Sequence, residues 1–598
     1  MRPDALAQEV AQVLAPVISA LAPELDAATI ASLLGPPPKP EMGDLAFPCF
    51  RLSKPLKQAP PKIAQTLAEA LADQVGKGLI TALEPAGPYL NLRLAPAEVA
   101  RILLPAWARG ELPDYGHAVG KVMVEYSQPN THKAFHVGHM RNLCLGDSLV
   151  RLLRATGHEV VAANYLGDVG THVAKCLWGL EALEVGEPPE QARGEWLGEI
   201  YARAAIQLDD WEKAGKAGDE AAAAHYAAAR ERMTEILRGI EAREPGYREL
   251  WERTRQWSLD EFEEIYAWTG VHFDRVFYES EVDEPGLALV DEFLAKGVFV
   301  ESRGAIGIEN PEIKHMPFFM LRKSDGTGLY ATKDLALARK KFEEYGIDRS
   351  IYVVDARQSD HFKQVFLTLK KMGFDQADRC EHVAYEMVEL PSGAMSSREG
   401  TVILFRALRE QLAAALDQKF FAALREQLGD AVIAEALHQV SLGAIKYGML
   451  ARDNNQKIVF DLDRWTDVQG GDCGPSIQYS AARAASVLRK ARDLGQTLNR
   501  EFVPSGNTFK EPAEQAFLTA IGALPSAVKD SADTLRPSIL CAQLYTLAKA
   551  YNRFQQECDV IHQTDPENLQ ARLMLVTAAR AALSWGLSLL GIPAPERM

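Results

Sequence analysis

The sequence predicts a multidomain protein of the α/β plus α class, and three observations support this prediction. The chain has 598 residues, which exceeds the usual length of a single domain. A strand, a loop, a helix and a second strand follow one another between residues 121 and 165. This is the pattern of a βαβ unit in a Rossmann-like parallel sheet. From about residue 430 the chain is nearly all amphipathic helix, which predicts an all-α C-terminal bundle.

Changes of pattern along the chain divide it into several predicted parts. A helical opening, a turn-rich stretch and the strand-like segment 87–94 predict a small α+β N-terminal domain. After about residue 176, acidic and basic residues alternate on helices, which is typical of a solvated helical insertion. The predicted limits are 1–112 for the N-terminal domain, 118–175 and 298–410 for the two halves of the parallel-sheet core, 176–297 for the mainly helical insertion and 430–598 for the C-terminal bundle.

Composition and charge exclude several classes of protein. Hydrophobic residues make up 47% of the chain and charged residues 24%, so it is neither disordered nor a disulfide-rich miniprotein. The formal net charge of −16 argues against binding of nucleic acid by charge alone. From Asp430 onward there are 17 basic and 18 acidic residues, and the rest of the chain carries −15. The nearly neutral C-terminal part is therefore better suited to a nucleic-acid surface than the acidic remainder.

Cysteine spacing and hydropathy bear on metal content and location. The seven cysteines lie far apart, so no paired-cysteine zinc motif is present and we expect no structural zinc. Scattered single cysteines are typical of a reducing compartment. The N-terminal stretch carries acidic residues at helical intervals, unlike a signal peptide, and no apolar stretch is long enough to cross a bilayer. We expect a cytoplasmic protein with no membrane contact.

The segment HVGH at residues 136–139 opens the helix of the βαβ unit. A helix N-terminus exposes unpaired N–H groups and favours phosphate. His136 and His139 are three residues apart and share one helix face, so both imidazoles could donate to a phosphate that gains charge. Gly138 would allow a flat ring such as adenine to approach the backbone. The alternative is a pair of ordinary surface histidines, which the position after a strand disfavours.

A second segment, AMSSREG at residues 394–400, follows the last strand of the second half. Two hydroxyls and an arginine beside a glycine could clamp a triphosphate. Taken alone, the segment could equally be a surface turn. Both segments are predicted at the carboxyl edge of one parallel sheet, where ligands of such sheets bind.

The two segments, with a helical insertion between them, resemble a class I aminoacyl-tRNA synthetase, and the detail resembles the arginyl-tRNA synthetases. The resemblance covers nearly the whole chain, including GDLAFPCF of the family's extra N-terminal domain. The other stretches that carry it are VEYSQPNTHKAFHVGHMRN, NYLGDVGTHVAK, VHFDRVFYES, LRKSDGTGLYATKDLA, YVVDARQSDHFKQVF, LGAIKYGML, IQYSAARAASVLRK and GIPAPERM.

This resemblance implies a ligase that activates L-arginine with ATP and transfers it to the terminal ribose of tRNA-Arg, with Mg²⁺ arriving on ATP. It also implies that activation requires the tRNA. The implied residues for ATP are His136, Gly138, His139, Met395, Ser396 and Ser397, and those for catalysis are His136, His139, Lys133, Ser396 and Arg398. The implied residues for arginine are Glu125, Asn130, His136, Tyr330, Asp334 and Gln358, with Asp355 as a weaker candidate.

The AMSSREG segment departs from the class I signature Lys-Met-Ser-Lys-Ser. Ala394 and Ser397 stand at the two lysine positions and Arg398 at the final serine. A departing pyrophosphate needs a cationic partner, so another residue must replace the second lysine. Lys133 lies three residues before His136 and is our favoured substitute, with Arg398 as the alternative.

The C-terminal bundle is expected to contact unstacked RNA bases through aromatic and arginine side chains. Resemblance assigns this role to Tyr447, Tyr479, Arg483 and Met598, and packing in the bundle core is the alternative for the two tyrosines. The N-terminal domain is expected to contact the tRNA elbow. The absence of a long heptad pattern favours a monomer.

Three other functions compete with this one. Another class I synthetase is the nearest, although zinc ligands and a large editing domain are missing from the sequence. A small-molecule adenylate-forming ligase would not need the long helical C-terminal part or the extra N-terminal domain. A non-catalytic RNA-binding relative would not need intact HVGH and Met395-Ser396.

Overall fold

The structure is a computed structural model that describes residues 1–391, 393–394 and 402–598. It begins with a small α+β domain around a three-stranded antiparallel sheet of order β1-β3-β2. Buried Phe47, Leu90 and Leu92 of this sheet belong to the same hydrophobic cluster as helix residues such as Leu14 and Ile63. The elements are α1 (Ala5–Leu21), α2 (Ala27–Leu33), β1 (Leu45–Pro48), α3 (Ser53–Leu56), α4 (Pro60–Ala70), β2 (Ile80–Ala86), β3 (Tyr89–Leu94) and α5 (Pro96–Ala108).

The central part of the chain alternates strands and helices, with one all-helical stretch. Its first elements are β4 (Lys121–Glu125), α6 (Val137–Ala155), β5 (Glu159–Leu166), α7 (Thr171–Ala182), α8 (Arg193–Lys216), α9 (Glu220–Glu241) and α10 (Pro245–Thr269). They are followed by β6 (Arg275–Tyr278), α11 (Glu279–Ala295), β7 (Val300–Ser302), β8 (Ala305–Glu309), β9 (Phe318–Arg322), α12 (Tyr330–Tyr345), β10 (Arg349–Asp355), α13 (Ser359–Lys371), β11 (Cys380–Tyr385), β12 (Val388–Leu390) and β13 (Gly393–Ala394).

Five of these strands form one parallel sheet of order β11-β10-β4-β5-β6. Strands β4, β10 and β5 are buried along most of their length, which explains their nearly continuous apolar sequences. Relative to chain order, the sheet starts at its middle strand β4, extends through β5 to β6, and then returns through β10 to β11. This is the doubly wound arrangement, so the predicted Rossmann-like core is confirmed.

After the helical insertion, the chain rejoins the parallel sheet at β6, before the predicted limit of the insertion at residue 297. Residues 176–297 were predicted as a mainly helical insertion, but β6 lies within that range and pairs with β5, from Ala163 opposite Arg275 to Leu166 opposite Tyr278. The four-residue strand RVFY is too short to stand out between helical stretches, and only pairing with a distant strand makes it β. The described helices between β5 and β6 are α7 to α10.

Residues 298–322 also differ from their prediction, because they do not extend the parallel sheet. Strands β7, β8 and β9 form a separate antiparallel sheet. Ile308 of β8, Leu321 of β9 and Phe299, which directly precedes β7, pack with α11 and α12. The β-forming sequence was recognised correctly, but the partner of a strand depends on contacts that are distant in sequence.

The C-terminal part is helical, as predicted, apart from a two-residue strand that pairs with β12. Its elements are α14 (Phe405–Leu416), α15 (Arg425–Leu428), α16 (Asp430–Leu450), β14 (Ile458–Val459), α17 (Leu462–Trp465), α18 (Gly474–Asp493), α19 (Pro512–Asp533), α20 (Pro537–Glu557) and α21 (Pro566–Leu589). One hydrophobic cluster joins this bundle to the parallel sheet. The described part of the chain contains no helix that is long and apolar enough to cross a membrane.

A buried ion pair joins α6 to the C-terminal bundle. Lys446 Nζ of α16 lies 2.8 Å from Asp147 Oδ2 of α6, and the two side chains are 0% and 5% exposed. Nearby, the Ser148 hydroxyl donates to the carbonyl of Leu589 at the end of α21. Removal of Lys446 would leave Asp147 buried with Arg151 Nε, at 3.0 Å and 35% exposed, as its other partner, so the buried charge would be compensated less well.

We therefore expect Lys446→Met to lower the free energy of unfolding by about 3–5 kcal/mol, measured by urea denaturation followed by circular dichroism. Lys529→Met is the control, because Lys529 pairs with Asp533 on the surface at 2.8 Å and exposed pairs contribute about 0–1 kcal/mol. Equal effects of the two substitutions would contradict the role of the buried pair.

Candidate active site

The order of strands in the parallel sheet locates the site. Successive strands are added on one side of β4, as β5 and β6, and later on its other side, as β10 and β11, so the order of addition reverses between β4 and β10. Ligands of doubly wound sheets bind at the carboxyl ends of the strands at that point. Strand β4 ends at Glu125 and β10 ends at Asp355. The loop after β4 then carries the predicted residues Asn130 and Lys133 to the start of α6.

The two histidines of HVGH cap the N-terminus of α6 with their side chains. The backbone N–H of Gly138 donates to His136 Nδ1 at 3.1 Å, and the N–H of His136 donates to His139 Nδ1 at 3.2 Å. The two rings face each other, with centroids 3.9 Å apart. This arrangement satisfies backbone donors that a helix start otherwise leaves unpaired.

Both imidazoles are neutral at physiological pH. Burial, with help from the charge of Lys133, lowers the pKa of His136 to about 4. Burial, with His136 and Lys133, holds the pKa of His139 well below its usual value. Because Nδ1 accepts a backbone hydrogen bond in each ring, the proton of the neutral ring is on Nε2. Each histidine therefore has an Nε2–H group to donate to a ligand.

In the structure, Gly138 leaves room for the ring of His136, which is not the reason inferred from the sequence. A methyl group at this position would lie 2.9 Å from His136 Cε1 and 3.0 Å from His136 Nδ1. A glycine therefore lets the His136 ring fold back onto the helix start and accept the N–H of residue 138. Close approach of adenine, the predicted reason, stays a prediction.

Lys133 lies within electrostatic range of both imidazoles, because its charge lowers the pKa of each. Its Nζ lies 5.1 Å from the ring centroid of Tyr201 on α8, and Lys175 Nζ of α7 lies 5.7 Å from the same ring. The helical insertion thus supplies an aromatic ring beside Lys133. Neither Lys175 nor Tyr201 was predicted.

Met395, Ser396, Ser397 and Arg398 lie outside the described residues. Residues on either side of them are placed by backbone pairing. Gly393 and Ala394 form β13, which pairs with β12. After the gap, the N–H of Val137 donates to the carbonyl of Ile403, and Leu404 bridges His136. The chain that follows AMSSREG therefore contacts the first residues of the HVGH helix.

A cluster of four carboxylates lies near the half-buried Tyr165, at the end of β5. Burial raises the pKa of Tyr165 well above its usual value, and the nearby charges of Asp334, Glu279, Glu125 and Asp168 raise it further. The sequence analysis predicted two of these carboxylates, Glu125 and Asp334, as ligands of a guanidinium group.

Three of the four carboxylates already have a cationic partner in the protein. Glu125 pairs with buried Lys341 and accepts a 2.7 Å hydrogen bond from Gln128 Nε2. Asp168 Oδ2 lies 2.9 Å from Arg255 Nε. Glu279 Oε2 lies 3.4 Å from Lys333 Nζ.

Asp334 differs from the other three. Its Oδ2 lies 2.6 Å from Nε2 of His361 on α13, and within the described ranges it pairs with no lysine or arginine. Four residues earlier on α12, Tyr330 is 58% exposed. Asp334 is therefore the carboxylate of the cluster that is best placed to pair with a cationic ligand beside an accessible aromatic ring.

The remaining predicted arginine ligands lie at the same edge of the sheet. Asn130 is half-buried and forms a backbone bridge with Gly167 after β5. Gln358 is exposed at the turn between β10 and α13. Asp355, the weaker candidate, accepts hydrogen bonds from the backbone and guanidinium of Arg357. Its carboxylate is thus already occupied.

Comparison with known proteins agrees with this geometry. The family described as tRNA synthetases class I (R), catalytic domain, matches residues 111–462. The DALR anticodon binding domain matches residues 477–598, and the arginyl tRNA synthetase N terminal domain matches residues 4–94. The chain belongs to the arginyl-tRNA synthetase family.

Similar proteins span nearly the whole chain. A protein of Bdellovibrio bacteriovorus named arginine–tRNA ligase is 42% identical over 94% of this chain and 93% of its own length. A protein of Treponema denticola with the same name is 31% identical over 94% of each chain. The solved arginyl-tRNA synthetase of Thermus thermophilus has a TM-score of 0.78 at 26% identity and covers 99% of this chain and 100% of its own.

The predicted tRNA contacts of this arginyl-tRNA synthetase family member divide into two groups. Tyr479 and Met598 pack against one apolar cluster of the bundle, and the Arg483 guanidinium lies 5.8 Å from the Tyr479 ring centroid. These three residues are half-buried and lie close together. Tyr447 is buried, and its hydroxyl donates to Asp472 Oδ1 at 2.6 Å. The prediction of a direct RNA contact by Tyr447 is corrected, because its ring belongs to the bundle core.

We expect no histidine ionisation near pH 6.5 in kcat/KM for ATP, because burial lowers the pKa of His136 to about 4 and holds the pKa of His139 well below its usual value. Protonation of His136 on acidification toward about pH 4 removes its Nδ1 acceptor, so the loss of activity caused by this histidine occurs only there. The pH profile of pyrophosphate exchange at saturating arginine and tRNA-Arg tests this. A wild-type limb near pH 6.5 that disappears in His139→Asn would contradict it.

Proposed function

We propose that this protein activates L-arginine with ATP to arginyl-adenylate and transfers the arginyl group to the 3′-terminal ribose of tRNA-Arg. The observation that carries this proposal is the carboxylate of Asp334, which pairs with no lysine or arginine among the described residues. It lies at the same sheet edge as two neutral imidazoles whose Nε2–H groups donate to no other described residue. The first feature suits a guanidinium, and the second suits a phosphate that gains negative charge.

In the first step the carboxylate oxygen of arginine attacks the α-phosphorus of ATP. A new P–O bond forms, the bond to the bridging oxygen breaks, and pyrophosphate leaves. His136 and His139 donate from Nε2 to phosphate oxygens as charge develops on them, without losing or gaining a proton. Mg²⁺ arrives with ATP as part of that substrate. Met395, Ser396, Ser397 and Arg398 are proposed to bind the triphosphate as well.

The arginine side chain is proposed to lie between α12 and the end of β4. Asp334 pairs with the guanidinium, and Tyr330 packs on the aliphatic part of the side chain. Glu125 closes the pocket, with Lys341 and Gln128 holding its carboxylate. Asn130 and Gln358 are proposed to orient the polar groups at the other end of the amino acid.

In the second step the terminal ribose hydroxyl of the tRNA attacks the adenylate carbonyl, and AMP leaves. Tyr479, Arg483 and Met598 are proposed to contact anticodon bases, and the N-terminal domain is proposed to contact the tRNA elbow. We also propose that the protein is a cytoplasmic monomer without structural zinc. The proposed limits of its parts are those derived from the sequence, with the parallel sheet resuming at β6.

Exchange of pyrophosphate into ATP, measured with each amino acid in the presence and absence of tRNA-Arg, tests the proposed function. We expect exchange with arginine alone among the amino acids, and only when tRNA is present, as the family resemblance implies. Exchange with another amino acid would reassign the substrate. Robust exchange without tRNA would show that the protein departs from its family in this respect.

The second prediction for the reaction concerns the guanidinium. We expect Asp334→Asn to lower kcat/KM for arginine by an amount that corresponds to about 3–5 kcal/mol of lost transition-state stabilisation, because a buried cation loses its charged partner. The KM for ATP should change little. Glu125→Gln should in addition lower the midpoint of thermal unfolding, since it leaves Lys341 buried and unpaired. Asp360→Asn is a control for carboxylate loss, because Asp360 pairs with His315 and Lys363 on the surface. An unchanged KM for arginine in Asp334→Asn contradicts the assignment.

The third concerns the missing signature lysine. We expect Lys133→Ala to slow adenylate formation by about 2 kcal/mol at saturating arginine, the range of one charge-assisted contact. Single-turnover measurements on Lys133→Ala and Arg398→Ala rank the two candidates, and Lys175→Ala is the control for a lysine on the same Tyr201 ring. Ser397→Lys should restore part of the activity of Lys133→Ala. A silent Lys133→Ala beside an impaired Arg398→Ala would invert the ranking.

A further inference from the structure

Glu279 was not predicted from the sequence, yet it lies inside the proposed arginine site. It is the first residue of α11, directly after β6, and is 6% exposed. The carboxyl ends of β4, β5 and β6 are adjacent in the sheet, and they are followed by Asn130, Gly167 and Glu279 respectively. These three residues therefore come together at one edge although they are far apart in sequence.

Gly167 shows how closely the side chains of Asn130 and Glu279 approach. A methyl group on Gly167 would lie 2.1 Å from Asn130 Oδ1 and 3.4 Å from Glu279 Oε1. The distance between Asn130 Oδ1 and Glu279 Oε1 therefore cannot exceed the sum of these two distances. A single ammonium group that makes hydrogen bonds of about 2.8 Å can bridge two oxygens at such a separation.

The protein itself compensates Glu279 only weakly. Lys333 Nζ is 3.4 Å from Glu279 Oε2 and is shared with Asp283 at the same distance. In the described part of the chain no hydrogen bond reaches Oε1. Burial raises the pKa of Glu279 to about 7, and the charges of Asp334 and Asp168 add to this rise. A cation next to Oε1 would relieve this unfavourable burial of negative charge.

The two ends of a bound arginine are distinguished by the elements around them. The α-carboxylate must reach the ATP phosphate near His136 and His139, so the α-carbon lies toward the loop that carries Asn130 and Lys133. Asp334 is held by His361 on α13, which follows β10, whereas Glu279 follows β6. These strands lie on opposite sides of β4. Asp334 is therefore bonded on the β10 side of the site, through His361, whereas Glu279 Oε1 faces Asn130 on the loop after β4. Lys333, next to Asp334 on α12, pairs with Glu279, so the two carboxylates bind different groups within one site.

We propose that Glu279, together with Asn130 Oδ1, recognises the α-ammonium group of arginine and so fixes which end of the amino acid faces ATP. This inference rests on the proposed function, since it assumes that arginine is the substrate. It adds a specificity residue that selects α-amino acids among guanidinium compounds.

Two competitive inhibitors of aminoacylation separate the ends of arginine. Agmatine keeps the guanidinium and the amine but lacks the carboxylate, and 5-guanidinopentanoate keeps the guanidinium and the carboxylate but lacks the amine. We expect Glu279→Gln to raise the inhibition constant of agmatine roughly tenfold or more, as for loss of a hydrogen bond to a charged group. The inhibition constant of 5-guanidinopentanoate should change by less than about threefold, since it makes no such bond.

Control variants separate this inference from the proposed function. Asp334→Asn should raise both inhibition constants, whereas Glu284→Gln, an exposed charge on the same helix, should raise neither. If Asp334→Asn changes neither constant, the guanidinium assignment fails while the Glu279 comparison still decides the inference. If neither compound inhibits the wild-type enzyme, both proposals are overturned.

Thermal unfolding shows whether Glu279→Gln is folded. If it is not, Glu279→Asp serves instead, because it keeps the charge and withdraws it by one methylene. We expect it to weaken agmatine selectively. Equal weakening of both inhibitors, or weakening of neither, would overturn the assignment of Glu279 to the α-ammonium group.

Discussion

The close packing of α6 on several sides is the constraint on which the rest of the structure depends. On the sheet side, a methyl group on Gly146 would lie 2.1 Å from Tyr126 Cγ, so a glycine is required at the contact. On another side, Arg141 donates to backbone carbonyls that include those of Gln456, at 2.8 Å, and Asp453, at 3.1 Å. The ion pair of Asp147 with Lys446 fixes the helix to the C-terminal bundle. Because His136 and His139 cap the same helix, the position of the reacting groups depends on packing by distant parts of the chain.

The architecture follows from local sequence where the signal is periodic and fails where it depends on distant pairing. The alternation in β4, the apolar run of β5 and the amphipathic C-terminal helices are sufficient to predict a doubly wound core and a helical bundle. The four residues of β6 form a strand only because β5 lies beside them, and β7 to β9 associate with each other instead of with the parallel sheet. No local pattern distinguishes Arg141 from an arginine on a helix surface, although it is buried among carbonyls.

The site divides in a similar way. His136, His139 and Asp334 belong to compact motifs, so the sequence could propose them as site residues, and the structure adds that Nδ1 of each imidazole accepts a backbone hydrogen bond. Glu279, His361 and Lys341 are single ionisable residues at the start of or within helices, a pattern that most often indicates a solvated surface. Their burial and their partners become visible only in three dimensions. Burial likewise separates Tyr447, a core residue, from Tyr479 and Arg483, which its sequence context could not do.

The charges of the site are arranged in the same order as those of an amino acid that lies along it. Lys133 and the Nε2–H groups of the histidines provide positive potential at the start of α6, where carboxylate and phosphate oxygens are proposed to react. Negative charge is concentrated at the ends of β5, β6 and on α12, where Glu279 and Asp334 are the carboxylates least compensated by the protein. Reversal of arginine in this site would place its carboxylate among carboxylates and its guanidinium beside Lys133. The electrostatic cost of that reversal selects one orientation before any contact with ATP is formed.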